Sequence, residues 1–210
     1  MPILSPPKAP ALPFGPDQYD RPYFDKLLAL LRIYFNQVDN TLGQVVGTSG
    51  ATTLQSIYAA VQSNVNQTAA STVTAYPMTF TTVDYANGVS LVSGSRLFVS
   101  RTGIYNLQFS AQFANTDATE YAVDIWFRRN GVDIPASNSV YTVPKKHGGG
   151  DGHIIAALNF YVQLSAGDYV EIIWRTANTA VFLEARPAGV TPTRPSIPSV
   201  IATINYVSAI

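Results

Sequence analysis

Lys145-Lys146-His147-Gly148-Gly149-Gly150-Asp151-Gly152-His153 concentrates more chemically capable groups than any other stretch of the chain. His147, Asp151 and His153 bring nitrogen and oxygen donors that a divalent metal could use, but proximity is their whole support and no ligand spacing backs them. A phosphate-cradling loop would need the full glycine–lysine pattern opening a helix, whereas the residues that follow alternate as a strand. His-Gly-Gly-Gly can furnish oxyanion donors in hydrolases, yet no Gly-x-Ser-x-Gly elbow occurs anywhere. The segment therefore reads as a solvated loop between two strands, with no metal and no cofactor assigned.

Carboxylate pairs are equally thin. Asp117 with Glu120, and Asp124 with Asp133, could meet across a sheet, but nothing marks either as an acid–base pair of the glycosidase kind. Asp124 stands between Val123 and Ile125 and is expected on the polar face of a strand. Arg128 and Arg129 read as strand-end surface charges. Trp126 and Trp174 sit among apolar neighbours and are expected in a core or on an assembly axis; stacking against a carbohydrate is the alternative. No catalytic set emerges, so a non-enzymatic role is expected.

The elements that carry these residues are mostly strands. Residues 103–113, Gly-Ile-Tyr-Asn-Leu-Gln-Phe-Ser-Ala-Gln-Phe, set Ile104, Asn106 and Gln108 against Tyr105, Leu107, Phe109, Ala111 and Phe113. Residues 121–129, 153–164, 168–175, 180–185 and 199–209 are further strands, rich in Val, Ile, Tyr and Phe and separated by turns such as Asn130-Gly131. With no convincing helix from Tyr76 onward, residues 76–210 are expected to form an antiparallel jelly-roll sandwich, a mainly β head. Tyr105, Phe109, Trp126, Trp174 and Tyr206 are its candidate core or axis residues. Loops 114–120, 135–152 and 186–198 would carry any receptor contact.

What precedes the head changes character twice. Pro6 to Pro16 holds five prolines in eleven positions, each lacking an amide donor and fixing φ. Residues 1–22 are thus a stiff, extended arm in which Leu12, Phe14, Pro16 and Tyr19 are candidate docking residues. Over residues 23–46, Phe24, Leu28, Leu31, Phe35, Val38, Leu42 and Val45 recur at alternating steps of four and three. That heptad seam predicts a coiled-coil stalk, and its mixture of residues leans toward trimers or tetramers. The competing reading is a single amphipathic helix packed on its own domain. Residues 47–75 form a polar neck without Asp, Glu, Lys or Arg, where Leu54, Ile57, Val61 and Val65 keep the spacing of a short second helix.

The totals narrow the partners. The chain has 210 residues, 47% hydrophobic but only 12% charged, with zero formal net charge. Duplex nucleic acid and anionic membranes call for a basic face that this balance does not supply. The absence of cysteine removes disulfides and thiolate chemistry. No apolar run approaches the ~20 residues of a membrane span, and prolines stand where a secretory signal would carry its apolar run, so neither is expected.

Gly103-Ile104-Tyr105 with Leu107 and Phe109 resembles the G-x-Y-x-F-x-F strand of the tumour-necrosis-factor and complement-head jelly rolls. Leu164-Ser165-Ala166-Gly167-Asp168-Tyr169-Val170 resembles their L-x-x-G-D-x-V turn, and residues 202–207 resemble their closing central strand. This likeness covers about residues 76–210 and implies a compact trimer. Pro13-Phe14-Gly15-Pro16, with residues 31–40 (Leu-Arg-Ile-Tyr-Phe-Asn-Gln-Val-Asp-Asn), resembles the leading segment of structural proteins of tailed bacteriophages. That likeness implies a virion fibre, spike or capsid appendage attached to other virion proteins through its arm; with the trimer implied by the head and the seam, the expectation is a homotrimer assembled in the host cytoplasm. The head would face a host receptor or glycan, or simply decorate the particle. Rival expectations are a receptor- or glycan-binding module outside a virion, and a polysaccharide depolymerase.

Overall fold

A computed structural model describes residues 8–46 and 57–210. The chain divides into two compact units between Ser56 and Ile57. Expectations that fall on residues 1–7 and 47–56, Leu54 among them, lie outside the described residues.

The first unit is built around one helix, α1 (Arg21–Val46). It begins where the Phe24 amide donates to the Asp20 carbonyl at 3.2 Å, which makes Asp20 the capping residue. Pro22 falls in the first turn, where its missing amide costs nothing. Ahead of the helix the chain turns back on it: the Tyr23 hydroxyl donates to the Pro13 carbonyl at 3.1 Å, and Tyr19 stacks on Phe24 with ring centroids 5.3 Å apart.

The second unit is mainly β. Its chain opens with β1 (Tyr58–Ser63), β2 (Gln67–Thr68), β3 (Tyr76–Pro77) and β4 (Thr82–Asn87). A tight pair, β5 (Val89–Val92) and β6 (Arg96–Val99), leads into the long β7 (Gly103–Asn115). Then come β8 (Tyr121–Arg129), β9 (Val132–Asp133), β10 (Ser139–Val143), β11 (Gly152–Leu164) and β12 (Tyr169–Thr176). The chain closes through β13 (Val181–Leu183), the small hairpin β14 (Gly189–Val190) and β15 (Thr193–Arg194), and β16 (Val200–Ser208).

One antiparallel sheet runs β4-β1-β16-β7, with β11 along the far side of β7, β13 on the last residues of β7 and β2 on β13. The other runs β5-β6-β12-β8-β10, with β3 also on β12 and β9 on β8. Alternation turns Tyr105, Leu107, Phe109, Ala111 and Phe113 of β7 inward, all buried. They share one core with Val123, Ile125 and Phe127 of β8 and with Val170, Ile172 and Trp174 of β12. Rings tie the two sheets together: Phe113 with Trp174 at 5.7 Å, and Phe109 edge-on to Phe127 at 6.0 Å.

Three expectations are corrected. The short helix suggested by Ile57, Val61 and Val65 does not form, because Tyr58–Ser63 is β1, paired with both β16 and β4. A spacing of four satisfies a helix and a strand alike, and here Ile57, Ala59, Val61 and Ser63 are all buried on one side. Residues 57–75 accordingly belong to the head unit and not to a neck. The segment 135–152 is not loop throughout, since Ser139–Val143 is β10, hydrogen-bonded to β8.

Candidate assembly surfaces

The side chains singled out around the glycine-rich segment do not converge. His147 and Gly150 exchange both backbone hydrogen bonds, at 2.9 and 3.1 Å. Gly148 and Gly149 between them have φ of 60° and 88°. That is a two-residue hairpin turn needing positive φ twice, which accounts for the adjacent glycines. His153 belongs to a different cluster. The Arg186 guanidinium donates to its ring at 2.6 Å, and Glu184 lies 3.4 Å away while accepting from Arg186 at 2.8 Å. Among the described residues no three His, Cys, Asp or Glu side chains could hold a metal together, so His147, Asp151 and His153 are not a preformed site.

The aromatic candidates separate. Tyr105, Phe109 and Trp174 are in the core, and Tyr206 is partly buried against it. The Tyr105 hydroxyl donates to the Arg101 carbonyl at 2.6 Å; burial, then the neighbouring Tyr206, pushes its pKa up to about 12. Trp126 differs from the expectation of a core residue. Its neighbours Val123, Ile125 and Phe127 face inward, so strand alternation puts it with Asp124 and Arg128 on the outer face, where it is half-buried. Asp133 accepts from Arg128 at 2.7 Å. That bond holds its carboxyl below the ordinary value, assisted by the nearby Trp126 indole.

A contrast in charge distinguishes the two outer faces. β1, β7, β11 and β16 contain no Asp, Glu, Lys or Arg at all, although such residues make up 12% of the chain. The strands of the opposite sheet carry Arg96, Asp124, Arg128, Arg129, Asp133, Glu171 and Arg175. Across these four strands Ile155 and Tyr161 are 58% and 60% exposed, and Tyr58, Ile201 and Val207 are also exposed; charge borders them at Asp84 of β4, which accepts from Gln62 at 2.7 Å, and at Glu184 and Arg186 beside His153. Between them lie Asn106, Gln108, Thr203 and Asn205, and the Asn106 Oδ1 is buried without a hydrogen-bond partner. Sequence reasoning did not single out these residues; the signal was available in strands that lack any charged side chain.

The helix carries a second exposed apolar surface. Phe24, Leu28, Phe35 and Leu42 are exposed along α1, Phe35 to 58%, while Leu31 and Val38 are half-buried. In the arm, Phe14 is 99% exposed, Leu12 and Tyr19 are also exposed, and so is Pro16. No helix is long and apolar enough to cross a membrane among the described residues.

Set against protein-family models and against curated proteins, the chain matches none. Its surfaces therefore have to be read from their own chemistry.

Proposed function

We propose that this chain is a non-enzymatic structural protein of a virion, a homotrimeric fibre or capsid or tail appendage held to the particle by its N-terminal arm. The head faces outward for adhesion or decoration. The observation that carries the assembly is the sheet face of β1, β7, β11 and β16, four strands without Asp, Glu, Lys or Arg, with charge only at its margin. Burying a face of amide, hydroxyl and apolar side chains avoids the desolvation cost that each charge would impose. The opposite face, with seven charged side chains on its strands, remains with solvent. The exposed heptad seam of α1 adds a second contact between copies.

Strand order supports a jelly-roll head. Taken in chain order as A to H, strands β1, β6, β7, β8, β10, β11, β12 and β16 fall into the sheets A-H-C-F and B-G-D-E, the arrangement of an eight-stranded double Greek key. The virion placement rests on the likeness of residues 13–16 and 31–40 to tailed-phage leading segments. The exposed Phe14 supports it as an apolar plug with little entropy left to lose on docking.

The test is the native mass of the intact chain beside one lacking residues 1–46. Trimers in both support assembly through the head sheet. A monomeric truncation transfers assembly to the seam, and a monomeric intact chain overturns the proposal. Removing residues 1–22 is expected to leave the trimer intact and abolish incorporation into particles.

A further inference from the structure

On the charged sheet, on the side away from the proposed assembly face, lies an open concavity of about 390 Å³, toward the small end of ligand sites, roughly 300–1,000 Å³. Asp124, Trp126, Asp133, Asn138 and Arg175 line it. Its polar groups are held in place. Arg175 donates to the Asp124 carboxylate at 3.1 Å and to the Thr72 carbonyl at 2.9 Å. Asn138 donates to the other Asp124 oxygen at 3.3 Å. The rim that carries Asn138 is tied to the sheet by buried Ser137, whose hydroxyl accepts from the Phe127 amide at 3.1 Å and donates to the Ile134 carbonyl at 2.8 Å.

The chemistry of this set narrows the ligand class. Each carboxylate is matched by a guanidinium, Asp124 by Arg175 and Asp133 by Arg128, so the hollow offers no net charge to an ion. Carboxylate acceptors and amide or guanidinium donors stand side by side. Neighbouring hydroxyl groups, each both donor and acceptor, match that arrangement, whereas an anion would use only the donors and a cation only the acceptors. The indole nitrogen of Trp126 is buried, so what this half-buried side chain shows to solvent is carbon. β8 is paired on both sides, with β10 and β12, at Asp124. No free backbone edge is left there for an extended peptide. We propose that this concavity binds a neutral saccharide ring, its C–H face on Trp126 and its hydroxyls on Asp124, Asn138 and Arg175.

The inference rests on the head being an outward-facing adhesive module, and its test is independent of assembly. The full chain is mixed with the methyl glycosides of glucose, galactose and N-acetylglucosamine at millimolar concentration, and saturation-transfer NMR reads contact with the sugar. Transfer to ring C–H protons from at least one probe is expected, retained in Trp126→Phe and lost in Trp126→Ala. Asp124→Asn, which preserves shape, is expected to weaken binding by roughly tenfold or more. No transfer from any probe overturns the proposal, as does transfer undiminished in both Trp126→Ala and Asp124→Asn. Native mass on the same samples keeps the readings apart. Sugar binding by a monomer sinks the assembly proposal alone, and a trimer that ignores every probe sinks the saccharide proposal alone.

Discussion

Phe35→Ser measures whether the seam of α1 joins copies of the chain. Phe35 is 58% exposed, and its ring contact is with the adjacent Tyr34 of the same helix, centroids 5.8 Å apart. Full burial of a large apolar side chain is worth roughly 1.5–3 kcal/mol. More than half of that remains to be gained on assembly, roughly 1–1.5 kcal/mol per chain. Three copies give roughly 3–4.5 kcal/mol per trimer, about two to three orders of magnitude in the association constant at ~1.4 kcal/mol per tenfold. The helix of a single chain is barely affected, because Ser and Phe have similar helix propensity. Sedimentation equilibrium of the full chain, in urea where trimer and monomer coexist, reads the shift, with Asn36→Ser as the control. Unchanged dissociation in Phe35→Ser would refute the argument, because a half-exposed phenylalanine on an interface cannot be removed without cost.

Three further outcomes bear on the head. A Cβ at Gly103 would overlap the Tyr206 ring and sit 2.5 Å from the Ser208 carbonyl oxygen, so Gly103→Ala is expected to cost about 1–3 kcal/mol by thermal melt. Tyr105, held at about 12 against ~10 unfolded, contributes stability that is complete below pH ~10 and is lost as pH climbs toward ~12, on the order of 1–3 kcal/mol. Urea midpoints across that range should fall for the natural chain and flatten in Tyr105→Phe. Burial raises Asp168, but this is outweighed by bonds from the Ser165 amide and the Asn130 side chain and by the Arg129 charge, leaving its pKa below the ordinary value. Its stabilisation is present above the unfolded carboxylate value and disappears as pH falls through the folded one; Asp168→Asn should remove that part of the acid dependence in urea midpoints.

How much of this was legible follows from which periods are unambiguous. β7 is readable because Tyr105, Leu107, Phe109, Ala111 and Phe113 hold a strict alternation that no helix shares. β1 is not, because Ile57 and Val61 are four apart and the small residues between them, Ala59 in particular, look the same on either reading. Trp126 was assigned by its apolar neighbours, although neighbours in a strand point the other way and Asp124 and Arg128 share its face. The pairing of Asp124 with Arg175 was out of reach, since it depends on the register of β8 against β12. The helix was legible in type and nearly in extent, its heptad beginning three residues inside the first turn.

The entry of the chain into the head has a mechanical consequence. Tyr58–Ser63 is not a peripheral strand: six residue pairs join it to β16 on one side and five join it to β4 on the other, and Ile57 at its start is buried. A load applied along the axis of this strand and resisted by the sheet would act on two ladders in shear, so their hydrogen bonds would yield together instead of peeling one at a time. The strand that receives the tether also hydrogen-bonds to the last strand of the chain, making the two ends of the head a single clamp under load.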